Sequence, residues 1–324
     1  MTIASTATQQ KLDRSAPVFI AGRRGLVGSA LWRHFTDEGF TALMGPSSAE
    51  LDLRDRQSVF RWFAENQPHT VILAAARVGG IKANATRPTE FISENLRIQV
   101  NVLDAALQYG VQRLLFLGSS CIYPKAAAQP IREDALLTGP LEETNDAYAL
   151  AKIAGIMQVK AVRRQHSRTW ISVMPTNLYG PGDNFHPEHS HVLPSLIRRF
   201  HQAKVENAPE VTNWGTGTPR REFLHVDDLA RACLLLLERY DSDSPINVGT
   251  GEDLTIRELA EMVASVVGYA GGLGWDAAQS DGTPRKLLDV SRITALGWKP
   301  EIGLRDGITG TYAWYRSKCD KNQK

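Results

Sequence analysis

Along the first half of the chain, short apolar runs alternate with longer stretches in which apolar positions recur every three to four residues. The runs at 18–21, 41–44, 70–74, 113–118 and 170–174 predict buried strands, and the stretches 26–38, 55–66, 89–109 and 146–166 predict helices. Strand and helix in strict alternation predict an α/β class, with a doubly wound parallel sheet covered by helices on both faces. In such sheets ligands gather beyond the carboxyl ends of the strands.

Past Pro175 the pattern changes. Pro181, Gly182, Pro187, Pro194, Pro209, Gly215, Gly217 and Pro219 punctuate a loop-rich region with one helical stretch at 192–204, and 245–249 again reads as a buried strand that would rejoin the main sheet. The expected organisation is a nucleotide-binding domain over 17–175 and 223–250. A smaller, discontinuous α/β substrate domain would cover 176–222 and 251–315. Residues 1–16 are polar and read as a disordered tail without the apolar core of a secretory signal.

Composition narrows the function. The 324 residues carry 37 basic and 35 acidic side chains, a net charge of +2, which gives no support for a nucleic-acid or anionic-membrane partner. The longest apolar helical piece, 232–237, is bracketed by Arg231 and Glu238, far short of the ~20 residues that span a bilayer. Cys121, Cys233 and Cys319 are too few and too scattered for a disulfide frame, so a reducing, cytoplasmic setting is expected.

The first strand runs directly into Gly22-Arg23-Arg24-Gly25-Leu26-Val27-Gly28 and then a helix. Glycines at this spacing let the chain turn tightly, bring backbone N–H groups to a pyrophosphate and pack the helix close to the strand, as in a Rossmann-type dinucleotide site. The second strand ends in Gly45-Pro46-Ser47-Ser48, with no acid to hold a ribose 2′-hydroxyl. Arg23 and Arg24 instead offer forked contacts to a 2′-phosphate, which favours NADP(H) over NAD. Asp52-Leu53 is placed to accept from the adenine amino group.

Tyr148 and Lys152 lie four residues apart on a predicted helix, hence on one face and one turn apart. An ammonium beside a phenol favours the phenolate and would bring its pKa of about 10 toward working range. Such a pair can move a proton on or off an alcohol or carbonyl oxygen. The segment Gly118-Ser119-Ser120-Cys121 follows the fourth strand and Pro175-Thr176-Asn177 ends the fifth.

These motifs resemble the extended short-chain dehydrogenase/reductase family. The likeness is carried by 75–81, 115–125, 172–181, 183–187, 221–228 and 281–286, and it runs from Val18 to Trp314. It implies an NADPH-dependent enzyme that inverts C3 and C5 of GDP-4-keto-6-deoxy-D-mannose and reduces its C4 ketone, giving GDP-L-fucose. By the same resemblance Tyr148 donates a proton to the C4 oxygen, Lys152 holds the nicotinamide ribose, and Ser119 hydrogen-bonds the sugar oxygen. Cys121 and His191 match the epimerisation base and acid. The cofactor would lie against Gly22 to Gly28, Asp52, Leu53, Leu117, Gly118, Ser119, Ser120, Lys152, Pro175, Thr176, Asn177, Leu178 and His191. Arg199, Trp214, Arg221 and Asp281 match positions that hold the GDP-sugar. Family members often carry a basic residue where this chain has Ser47-Ser48, which leaves Arg24 with more of the 2′-phosphate recognition. A homodimer through the long helices at 89–109 and 146–166 is a further implication.

Epimerisation beside a ketone needs a base on one face, an acid on the other and a group that steadies the enolate oxygen. A thiolate and an imidazole have suitable pKa values, about 8.5 and 6.5 before a site shifts them. His186, Pro187, Glu188, His189 and His191 crowd one loop, but the spacing does not match zinc patterns and no metal is expected. Arg198 and Arg199 adjoin on a helix, so one is expected outward and the other inward. Two rival readings are a nucleotide-sugar 4-epimerase or dehydratase of the same superfamily, and a non-catalytic NADP-binding regulator. The Ser119-Ser120-Cys121 run argues against the first and the intact Tyr148/Lys152 pair against the second.

Overall fold

A computed structural model describes residues 11–279 and 281–322. The strands, in chain order, are β1 (Val18–Ala21), β2 (Leu43–Met44), β3 (Thr70–Leu73), β4 (Arg113–Leu117), β5 (Ile171–Pro175), β6 (Asn177–Tyr179), β7 (Glu210–Trp214), β8 (Arg220–Arg221), β9 (Phe223–His225), β10 (Ile246–Val248), β11 (Leu254–Thr255), β12 (Gly272–Asp276) and β13 (Arg285–Lys286). The helices are α1 (Leu26–Asp37), α2 (Arg56–Asn66), α3 (Ile81–Thr86), α4 (Pro88–Gln108), α5 (Asp146–His166), α6 (Val192–Val205), α7 (Val226–Arg239), α8 (Ile256–Val267), α9 (Ser291–Ala295) and α10 (Leu304–Asn322).

The main sheet has six parallel strands in the order β10-β5-β4-β3-β1-β2. The fold class is therefore the α/β, Rossmann-type sheet read from the sequence, and the 245–249 run does rejoin it as β10, beside β5. Side chains of β1 alternate between two cores, as a pleated strand buried on both faces requires. Val18 and Ile20 join α1 and α7 on one face; Phe19 and Ala21 join α2, α4 and α5 on the other. A third core is built from Leu193, Ile197 and Phe200 of α6, Leu259 and Val263 of α8, and Ile308 and Tyr312 of α10. Around it lie a two-stranded parallel ribbon of β7 and β12, a β6–β9 pair and a three-stranded sheet β11-β8-β13.

Residues 1–10 of the expected tail lie outside the described residues. The rest of it is held: Arg14 pairs with Glu238 at 2.6 Å and stacks on the Phe40 ring, and Leu12 packs against the α1–α7 core. Among the described residues no helix is long and apolar enough to cross a membrane.

Candidate active site

The sheet order reverses around β1, so the carboxyl ends of β1 and β3 open a crevice at the point where a dinucleotide binds in such folds. Gly22 sits at that end with φ +88°, and a Cβ there would lie 2.8 Å from the backbone of Ala75 just past β3. Only glycine meets both demands. Gly28 packs α1 onto the turn, where a Cβ would meet Gly22 O at 2.1 Å. Gly25, the residue before α1, offers no side-chain cap. The first N–H groups of the helix, at Leu26 and Val27, are therefore left to a ligand.

The two loop arginines differ. Arg23 leans on Gly45 at the end of β2 and stacks on the Trp32 ring at 4.3 Å. Arg24 is exposed and makes no hydrogen bond or ion pair among the described residues, although its charge, like that of Arg23, lowers the pKa of Glu50. Asp52 is engaged by Arg54 through two side-chain contacts of 2.9 Å, and Leu53 O accepts from Asn101.

At the end of β4 the chain turns through a short 3₁₀ segment. Ser119 precedes it, and its hydroxyl accepts from Cys121 N at 3.4 Å and is also hydrogen-bonded to the Cys121 thiol and the Tyr148 phenol. Leu117 O accepts from Lys152 Nζ at 2.8 Å, and the ammonium stands 5.0 Å over Phe116 and 5.8 Å over the Tyr148 ring. Burial lowers the Lys152 pKa to about 8. It pushes the Tyr148 phenol well above its usual range, with a further rise from Cys121 and an opposing effect from the Ser119 bond. The expected lowering of the phenol by Lys152 is not what the structure shows. The ammonium is turned to the Leu117 carbonyl, and desolvation wins. Burial also raises the Cys121 thiol, opposed first by Lys286, then by the Ser119 bond and then by Lys152.

Pro175 ends β5, Thr176 N donates to Val248 O at 3.0 Å, and Asn177 Nδ2 donates to Glu222 O at 2.8 Å. Leu178 pairs with Leu224. His191 precedes α6, reachable by water yet crowded by protein atoms that desolvate its ring and lower its pKa. Gly80, before α3, has no room for a side chain against Ser190 O at 2.9 Å, so the 77–80 loop abuts the loop that carries His191. His186 and His189 stack ring on ring at 4.6 Å, and His186 Nδ1 accepts from Glu188 N.

A second cleft of about 400 Å³ lies between α6 and the β7–β12 ribbon, lined by Arg198, Arg199, Asn213, Trp214, Asp276 and Gln279 among others. Arg199 donates to Asn213 Oδ1 at 3.2 Å and to Thr212 O. The expected outward–inward split of Arg198 and Arg199 does not occur. Both are half-buried and both line the cleft, since neighbours on a helix differ by only about 100°. Asp281 accepts from Thr216 N and Oγ1 at 2.8 and 2.7 Å, so its carboxylate fixes the Gly215–Gly217 turn beside Trp214. Arg221 is desolvated and donates to Arg220 O. Sequence reasoning missed Asn213, Asp276 and Gln279 because β7 and β12 are brought together from distant segments.

The family described as NAD dependent epimerase/dehydratase matches residues 18–249. The chain is 58% identical to GDP-L-fucose synthase 1 of Arabidopsis thaliana, covering 99% of each protein. It is 53% identical to the GDP-L-fucose synthase of Escherichia coli K12, over 94% of this chain and 98% of that one. A solved GDP-L-fucose synthetase of Naegleria fowleri bound to NADP superposes with a TM-score of 0.88 at 28% identity, over 97% of this chain and 98% of that one.

Proposed function

We infer that this chain, which belongs to the NAD dependent epimerase/dehydratase family, uses NADPH to convert GDP-4-keto-6-deoxy-D-mannose to GDP-L-fucose by 3,5-epimerisation and 4-reduction. The observation that carries the reading is one cluster at the end of β4. There the Ser119 hydroxyl joins a phenol and a thiol, with the Lys152 ammonium beneath. A proton donor for a ketone oxygen and a candidate carbon base stand side by side, as a two-stage reaction at adjacent carbons requires.

The residues at the crevice fit NADP(H). The Gly22 turn against Ala75 admits a pyrophosphate to the uncapped start of α1, and Arg24, which makes no hydrogen bond or ion pair among the described residues, offers its guanidinium to the 2′-phosphate. When bound, the cofactor supplies the hydride to C4. Cys121 removes the proton from C3 and from C5 in turn, and His191 returns one from the opposite face. Ser119 and Tyr148 hold the oxygen while it carries enolate charge. In the reductive stage Tyr148 gives its proton to the C4 oxygen, a role suited to a phenol that burial keeps protonated. Arg199, Arg221 and Trp214 hold the GDP end in and beside the α6–ribbon cleft, and Asp281 shapes the turn next to it.

We also propose the two-domain division, 17–175 with 223–250 against 176–222 with 251–315. Apart from Phe223, the buried residues of the third core fall within the latter ranges. Three free, dispersed cysteines support a cytoplasmic setting.

The test is turnover of GDP-4-keto-6-deoxy-D-mannose with NADPH in heavy water. Stoichiometric NADPH oxidation should accompany deuterium at C3 and C5 of the product. In Cys121→Ser and His191→Gln, deuterium uptake should slow while ketone reduction persists, leaving unepimerised or singly epimerised sugar. Full deuterium uptake at both carbons in both variants would place the base and acid elsewhere.

A further inference from the structure

A cleft of about 390 Å³ lies at the amino-terminal ends of β4 and β5, across the sheet from the crevice at the carboxyl ends. Its walls are the last turns of α5, the 167–169 turn before β5 and the 241–243 segment after α7. The walls are braced. The buried Arg113 guanidinium donates to Thr169 O on one wall and, at 2.6 Å, to Tyr240 O at the root of the other, with Leu236 O and Leu237 O each at 2.8 Å. Arg163 ties α5 to both, paired with Asp241 at 2.7 Å and donating to Trp170 O at 2.9 Å.

Three other cations line the cleft, Lys160, Arg164 and Arg168, and none has a hydrogen bond or ion pair among the described residues. The acid left to oppose them is Asp243, since Asp241 is held by Arg163. Arg168 is the informative one, because its Nε is shut off from solvent and has no partner. A buried N–H without an acceptor is costly, and a braced wall that keeps one points to an acceptor brought from outside. Basic groups in the last turn of a helix offset its dipole, which covers Arg163 and Arg164. It does not account for Arg168, which lies beyond Ser167, the left-handed residue that ends α5.

We propose that this cleft is a separate anion site, which takes the phosphate group of a small ligand among Lys160, Arg164 and Arg168. A carboxylate brings one negative charge and two oxygens. A phosphate brings about two charges and, even as an ester, three acceptor oxygens, a closer match to two forked guanidiniums and an ammonium. The cleft is nearly as large as the one between α6 and the β7–β12 ribbon, so a phosphate ester fits as well as the free ion. Occupancy would join the end of α5 to the turn before β5 and add to stability by mass action.

The test is calorimetric titration of the full chain, saturated with NADP, with inorganic phosphate and with glucose 6-phosphate, at an ionic strength held constant with chloride. Wild type should bind at least one of them in the millimolar range or tighter, and its melting temperature should rise with that ligand's concentration. Arg164→Ala and Arg168→Ala should each weaken binding about ten- to a hundred-fold, the loss of a charge-assisted contact. Asp243→Asn should tighten it, because the opposing charge is gone. Retained NADPH affinity would show that the variants are folded. Tighter binding of glucose 6-phosphate would identify a phosphate ester as the ligand class, and tighter binding of inorganic phosphate the free ion. Phosphate held as in wild type by the Arg164 and Arg168 variants but lost in Arg199→Ala would place it in the α6–ribbon cleft and overturn the proposal. Wild type that binds neither probe would overturn it too.

Discussion

Tyr148 and Lys152 share one face of α5, and that much was legible from a four-residue spacing. What each side chain meets was not. The phenol is governed by Ser119, Cys121 and the burial that β4 and the 3₁₀ turn impose, and the ammonium by Leu117 O, all contributed by a segment some thirty residues earlier. Local periodicity carries no information on such desolvation, so the spacing alone predicts a lowered phenol where burial raises it. Tyr148→Phe removes the proton and keeps the ring, so kcat for reduction should fall about 10²–10⁴-fold with NADPH binding intact. A variant that keeps half the wild-type kcat would remove Tyr148 from the donor role. Lys152, lowered to about 8, is a cation below that pH and neutral above it. The reductive rate should therefore decline as pH rises through about 8, and Lys152→Arg, which stays charged, should flatten that limb even if its maximum is lower. A declining limb at the same pH in Lys152→Arg would show that another group titrates there.

At the scale of elements, the strongly periodic segments were read closely. The first strand and α5 match their predicted bounds, and α1, α2 and α4 differ by a residue or so. The second strand is shorter than expected at its start, because Thr41 N donates to Arg14 O and only Leu43 and Met44 pair with β1. For the region after Pro175 the proline and glycine pattern predicts chiefly loops. Its helix α8 did carry a signal, with Thr255 and Glu258 forming a capping box and Gly268 ending the helix in the left-handed region. The β7–β12 ribbon carried none, since its strands are parallel, short and sixty residues apart. The strand–turn–helix at β1–α1 gives a test of cofactor choice. Arg23 rests on the Trp32 ring with its stem against Gly45, whereas Arg24 makes no hydrogen bond or ion pair among the described residues and is the guanidinium proposed for the 2′-phosphate. Arg24→Ala should weaken NADPH by roughly ten- to a hundred-fold, the loss of a charge-assisted contact, and barely change NADH. Equal losses for both cofactors, measured by fluorescence titration, would assign the 2′-phosphate to other groups.

For the molecule as a whole, the buried Glu222 links the parts. It accepts from Gly251 N at 2.8 Å and Leu288 N at 3.1 Å, while its own carbonyl accepts from Asn177. It thereby ties the segments that follow β8, β10 and β13 to the end of β5, so the crevice beyond β1 and the cleft between α6 and the β7–β12 ribbon are built on one frame. Assembly with a second copy would act on that frame through α4 and α5. These helices pack together, with Gln99 donating to Ala151 O at 2.6 Å and Gln158 to Asp104 at 2.9 Å. Yet α4 leaves Val100, and α5 leaves Leu150 and Met157, turned to solvent. Leu150 and Met157 are seven residues apart, one stripe on the side of α5 opposite Tyr148 and Lys152. A helix with Tyr148 and Lys152 on one face and an apolar stripe on the other would be steadied by a twofold-related copy covering the stripe. The homodimer that the sequence resemblance implies predicts that Leu150→Glu with Met157→Glu, which would bury four carboxylates in a dimer contact, yields monomer by analytical ultracentrifugation. Because α5 would lose its outer support, kcat should fall with KM for NADPH little changed, and dilution of the wild type below its dissociation constant should give the same loss. Wild type sedimenting as a monomer, or the double variant holding the dimer mass, would remove α5 from the interface.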